Sequence, residues 1–268
     1  MLNKTIHTTV LTGFLLLILS CERQTDWELQ KSPVFPVADC ILTNELKHQA
    51  LRLYWSADRI NSSPVAISGA AVRISDDINS VALAEAMENP GTYRSVIPFI
   101  ATAGKTYRLT VSFGDVADTA YASMSGVTPL EAIDITGSDG YFRHVYHQST
   151  GASMTEIYYD WSADALYCDQ YGACQAAEVF YSLDNIDPSK EFAPERQKIL
   201  FPHSTTLVRR KYSLDEQHQR FIRSLLLETE WRGGFFDVEQ GNVPTNFRHG
   251  VHGWFAACAV DSDTTFFE

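Results

Sequence analysis

The chain has 268 residues with 33 acidic and 21 basic side chains, a net charge of −12. A surface this acidic repels phosphate backbones and anionic lipid heads, which argues against nucleic acid as a partner. No stretch reaches the roughly 20 apolar residues that a membrane-spanning helix needs, so the body after the first twenty residues reads as soluble.

The N-terminus carries one basic side chain, Lys4, then an apolar-rich run from Val10 to Leu19 that stops at Ser20-Cys21-Glu22. A charged start, a short apolar middle and a small residue before the break describe a secretory signal over residues 1–20. Ile18-Leu19-Ser20-Cys21 resembles a bacterial lipoprotein box. In such boxes the cysteine takes a diacylglycerol, the signal is cut before it, and the new amine is acylated. Several acyl chains anchor stably where one binds marginally. Cys21 is therefore expected to be the membrane anchor, with residues 21–30 as a lipidated linker. The remaining chain keeps 20 bases against 33 acids, because residues 1–20 hold one lysine and no acid. It also keeps four cysteines, which in an oxidising compartment allow three pairings.

Residues 31–125 read as short strands. In KTYRLTVSF, Tyr107, Leu109, Val111 and Phe113 alternate with polar residues, the period of a half-buried strand. Leu51, Leu53 and Trp55, then Val72 and Ile74, repeat the habit, with turn signals at NSSP (61–64), NPG (89–91) and AG (103–104) between them. This spacing predicts an immunoglobulin-like β-sandwich. Residues 126–132 read as a linker, and 133–268 as a second β-rich domain. Its strands are YFRHVYHQ, TEIYYDW, AEVFYSLD and TLVRRKYS, with GWFAACAV closing the sheet. One helix is expected near 214–231. Ser213 and Glu216 form a capping box, Leu214, Phe221, Ile222 and Leu225 a stripe shared with His218, and Gly233-Gly234 the stop. The fold class is thus mostly β with one helix.

Cys168 and Cys174 lie six residues apart in a polar, aromatic segment without further ligand-type residues at metal spacing, so a disulfide pinning a loop is expected. That loop would present Trp161, Tyr167 and Tyr171 for stacking on a sugar or anchoring a partner; the alternative is that they pack its underside. Cys40 and Cys258 sit in strand-like runs and are expected to be buried thiols, their pairing open. His144/His147 and His249/His252 are three apart, which on strands points them to opposite sides, so no metal is expected. Asp76-Asp77 and Asp261-x-Asp263 read as acidic turns without the features of a calcium loop. G-x-S-x-G, H-E-x-x-H, S-x-x-K and phosphate-binding glycine loops are missing from the sequence. No catalytic residue and no cofactor is assigned.

The segments SGAAVRISDD (68–77), NPGTYRS (89–95), AGKTYRLTV (103–111), QRFIRSLL (219–226) and GNVPTNFRHGVHGWFAA (241–257) resemble a Bacteroidota lipoprotein family known as domain of unknown function 4249. The last is the most specific, with Asn242, Pro244 and Asn246 leading to Gly250-x-x-Gly253-aromatic. The resemblance spans Trp27 to Glu268 and implies an outer-membrane lipoprotein with two β-rich domains, often encoded beside a TonB-dependent transporter. It implies no catalytic residues. DWSADALYCDQYGAC (160–174) departs from the pattern. The expected function is a non-enzymatic binding or accessory module, lipid-anchored in the outer membrane and partnering such a transporter. The alternatives are a surface hydrolase of glycans or peptides and a purely structural envelope protein. Glu22, Asp26 and Glu28, interrupted by Arg23 and Gln24, are a diluted form of the acidic cluster of surface lipoproteins, so the surface-facing side is expected.

Overall fold

Fifteen strands and two helices appear among the residues that the computed structural model describes: 33–59, 62–138, 140–171, 173–184, 191, 193–195, 198–231, 241 and 243–268, with the side chains of 169–171 left aside. The signal, Cys21 and the lipidated linker lie outside them, as do Gly233-Gly234 and Asn242. The protein is mostly β.

The first sheet uses β1 (Pro36–Thr43), β2 (Ala50–Trp55), β3 (Val65–Ala66), β4 (Ala71–Ser75), β5 (Ser80–Glu85), β6 (Thr92–Ser95), β7 (Thr106–Phe113) and β8 (Val116–Ser123). Its ninth strand is β14 (His252–Cys258), and the order is β14-β1-β2-β6-β5-β4-β7-β8 with β3 beside β2. Bridges from Ala120 to Phe247 and from Ser125 to Cys258 bring the two ends near each other, so the sheet almost closes into a barrel. The alternation read in β7 holds: Tyr107, Leu109 and Val111 point into one apolar core with Leu51, Leu53, Val72 and Ile74.

The second sheet is antiparallel, in the order β12 (Gln175–Ser182), β11 (Ser153–Asp160), β13 (Thr205–Ser213), β15 (Val260–Phe267). A hairpin, β9 (Ile135–Ser138) and β10 (Tyr141–His144), packs Ile135 and Phe142 against its core. Helix α1 (Ala165–Tyr171) follows β11, and α2 (Glu216–Thr229) follows β13.

Three expectations change. GWFAACAV does not close the second sheet; β14 pairs in parallel with β1, and only β15 continues into the second. Its side chains then serve two cores, Phe255 and Ala257 facing the first and Ala256 and Cys258 the second. Gly253 permits this approach. Its φ is +92°, and a Cβ there would sit 2.3 Å from the Ala38 carbonyl oxygen. Second, the helix is capped by Asp215, whose carboxylate accepts the His218 N–H at 2.7 Å. Ser213 ends β13 instead, donating its hydroxyl to the Ser125 carbonyl and accepting from the Ala259 N–H. Glu216 pairs with Arg220 one turn on. The buried face is His218, Ile222, Leu226 and Leu227, while Leu214 joins the second sheet's core. Third, the segment expected to link two domains is a strap bonded across β13 and β15. Lys211, fully buried, donates to the Pro129 carbonyl and the Glu131 carboxylate, Arg209 donates to the Glu131 carbonyl, and Asp261 accepts the Leu130 N–H. Residues Val34–Glu268 form one unit by their contacts.

Candidate functional site

Cys168 and Cys174 form a disulfide with their Cα atoms 4.7 Å apart, as their spacing predicts. What it closes is mostly helix α1 rather than an open loop. Asp164 accepts the Tyr167 N–H at the helix start. The expectation that this segment displays its aromatics is overturned for two of them. Trp161 is 4 % exposed and Tyr167 7 %, both in a core with Ile157, Tyr159, Cys168 and Phe201. The indole N–H donates to the Ala173 carbonyl at 2.8 Å and the Tyr167 hydroxyl to the Leu200 carbonyl at 3.1 Å. A ring whose polar tip finds an internal partner gains more by burial than by display. The Tyr171 side chain lies outside the described residues.

These two rings help line a cleft of about 1090 Å³. It runs along β12, whose alternating residues Glu178, Phe180 and Val179, Tyr181 reach it from both faces of the strand. Residues 143–146, leaving the hairpin, form one wall, and 198–200 another. Tyr146 and Phe180 stack in parallel at 4.2 Å, and the Tyr146 hydroxyl is bonded to Ser182 Oγ. This pair is a flat apolar platform made by residues 34 positions apart. Arg143, Lys198, Glu178 and Glu230 bring both signs of charge to the rim, and Glu178 accepts a hydrogen bond from the buried Tyr159 hydroxyl. His144 also lines the cleft. Burial, then the positive charge of Arg209, pushes its pKa down to about 4, so it stands as a neutral ring at physiological pH. Apolar walls with a few converging polar groups are the usual form of a ligand site. The sequence offered YFRHVYHQ and AEVFYSLD only as strands; no local spacing could bring Tyr146 onto Phe180.

The histidine pairs do not gather ligands. His147 pairs with Asp134 at 2.7 Å, His252 packs on Phe35 at 4.2 Å, and no metal-holding group of three His, Cys, Asp or Glu occurs among the described residues. Asp261 and Asp263 lie on β15 rather than in a turn, where Asp263 binds Arg209 through both oxygens. Asp76 does hold a turn, accepting the Ile78 and Asn79 N–H groups. Cys40 and Cys258 are both free and buried. They face different cores, and burial raises the pKa of each, Cys40 to about 12.

The motif over 241–257 has a different task. Asp118, 3 % exposed, accepts the backbone N–H groups of Arg248, His249 and Val251 as well as Thr119. Burial works to raise the Asp118 pKa, but the four donors outweigh it and hold the carboxyl below its usual value. Asn246 completes the pin, donating to the carbonyls of Tyr121 and Phe255 and accepting the Phe255 N–H. The motif thus locks the approach to β14. No match is found among curated proteins. Residues 24–264 match the family described as Domain of unknown function (DUF4249), and the chain belongs to that family.

Proposed function

We propose that this protein is a lipid-anchored, non-enzymatic binding module of the outer membrane that works with a TonB-dependent transporter. The observation that carries the reading is the 1090 Å³ cleft with its Tyr146–Phe180 platform, set on a two-sheet frame. The lipoprotein box at Cys21 and the family membership support the envelope setting. Confinement to a membrane raises the effective concentration of a co-resident partner, so a modest interface suffices. The surface-facing side remains our reading, tested by protease access in intact cells. We also read the first sheet as an immunoglobulin-like sandwich, folded at the β5–β6 join so that β1-β2-β6 faces β5-β4-β7-β8. The strand order and the single core shared by both halves support this.

The test is extraction of the tagged full chain in mild detergent. We expect a TonB-dependent outer-membrane protein to co-purify, and Phe180→Ala with Tyr146→Ala to reduce its recovery. Cys21→Ala should move the product from the outer-membrane fraction to a soluble one. A second reading, a hydrolase, draws on the presence of Glu178 and Glu230 in one cleft. It replaces the first if the wild-type protein emerges alone and its purified body cleaves a glycan or peptide.

A further inference from the structure

A second cleft, about 410 Å³, lies where the 241–257 motif meets helix α2 and β8. Tyr121, Gln217, Arg220, Thr245, Arg248 and Trp254 line it. The Arg248 guanidinium rests over the Tyr121 ring, 4.8 Å from its centroid. Its backbone is fixed by Asp118, whose carboxylate takes the Arg248 N–H at 2.9 Å. Trp254 is backed by Phe221, stacked at 4.6 Å. The site is therefore held from behind by groups that do not themselves fill it.

Some donors in this cleft have no hydrogen-bond or carboxylate partner among the described residues. Arg209, Arg210, Lys211, Lys105 and Arg220 each have a carboxylate partner. Among the described residues no carboxylate pairs with Arg248, and no hydrogen bond occupies the Gln217 carboxamide or the Trp254 indole N–H. Arg248 is set apart from the other arginines without an acid by its place in a cleft that a second arginine also lines. Arg220 adds a second guanidinium, shared with Glu216, whose pairing is exposed and exchangeable with another carboxylate. Thr245 is not a free donor, since its hydroxyl is bonded to the Val251 carbonyl and accepts the Phe247 N–H.

We infer that this cleft is a binding site for a carboxylate-bearing sugar, separate from the cleft along β12. The two guanidiniums present the forked donor geometry that matches a carboxylate. Gln217 and the indole N–H suit hydroxyls, and the aromatic surface of Trp254 suits the apolar face of a sugar ring. The rigid backing from Asp118 and Asn246 lowers the ordering cost of binding.

The experiment is calorimetric titration of the lipid-free chain, residues 22–268, with trigalacturonate, neutral galactotriose and inorganic phosphate as separate probes. We expect saturable binding of trigalacturonate, weaker by at least about tenfold for the neutral sugar and for phosphate. Arg248→Ala should weaken it by about tenfold or more, and Gln217→Ala by less. Both substitutions are at exposed side chains, and circular dichroism with a melting curve checks that each variant is folded. Tyr146→Ala in the other cleft should leave the affinity unchanged. No saturation below about 10 mM overturns the proposal. So does equal binding of phosphate or the neutral sugar, or binding indifferent to Arg248→Ala.

Discussion

The two sheets bury different things. The first closes round a mainly apolar core, with Leu51, Leu53, Leu109 and Phe255 fully buried, and adds neutral polar groups such as Gln49 and the single buried carboxylate among the described residues, Asp118. The second buries Arg209, Lys211, Ser153, Thr155 and Ser182 beside its aromatics, and carries the large cleft along β12. An apolar core is held by area removed from water and is non-directional. A polar core is held only if every charge keeps its partner, so it fixes one arrangement of the strap and hairpin. The third element, β14, lets one strand belong to both.

The most disruptive way to break this division is at that shared strand. Gly253→Ala forces a Cβ against the Ala38 carbonyl at a φ that L residues rarely adopt, and should cost about 4 kcal/mol in urea unfolding of the mature chain. Gly69→Ala is the control, with a positive φ but open space around it, and should cost about 1 kcal/mol. Equal losses at the two sites would mean that close approach to β1 is not what Gly253 serves.

The next test sharpens the contrast between the cores. Lys211 is fully buried while the Glu131 side chain is about one-third exposed. Glu131→Ala strands an ammonium without water and should cost about 3 kcal/mol. Lys211→Met removes the charge and fills the space, leaving a carboxylate that water can reach, and should cost about 1 kcal/mol or less. The reverse order, read from denaturant midpoints, would contradict a polar core held by its buried cation.

A smaller effect than at Gly253 or Glu131 is expected at Asp118 in the first sheet. Its folded pKa is depressed, so its contribution is present above its unfolded value of about 4 and is lost as pH falls through the folded value. Asp118→Asn should cost about 2 kcal/mol at neutral pH. The gap between wild type and variant should narrow as pH is lowered below about 4. A gap that stays constant from pH 7 to acid would show that the carboxylate charge is not what holds the motif.

Much of this molecule was legible in order along the chain. The alternation of Tyr107, Leu109 and Val111 made β7, because a strand's two faces see water and core in turn. The Cys168–Cys174 spacing gave the disulfide, and the segments that resemble the family gave the family. Where capping depends on what else a side chain is doing, local reading failed: Ser213 was already engaged with Ser125 and Ala259, so Asp215 capped α2. Trp161 and Tyr167 looked like display residues because sequence shows a ring but not the carbonyl waiting for it.

The sequence by itself determined the β-rich character, the strand alternation, the disulfide and the family, since each depends on neighbours within a few residues or on segments that resemble the family. Only the tertiary structure decided which sheet β14 joins, which acid meets Lys211, and that Tyr146 stacks on Phe180. Those pairings join residues from 34 to more than 200 positions apart. A local pattern fixes which side of an element is apolar; what covers that side is set by long-range packing, where backbone approach at Gly253 and the desolvation of a buried charge select one partner.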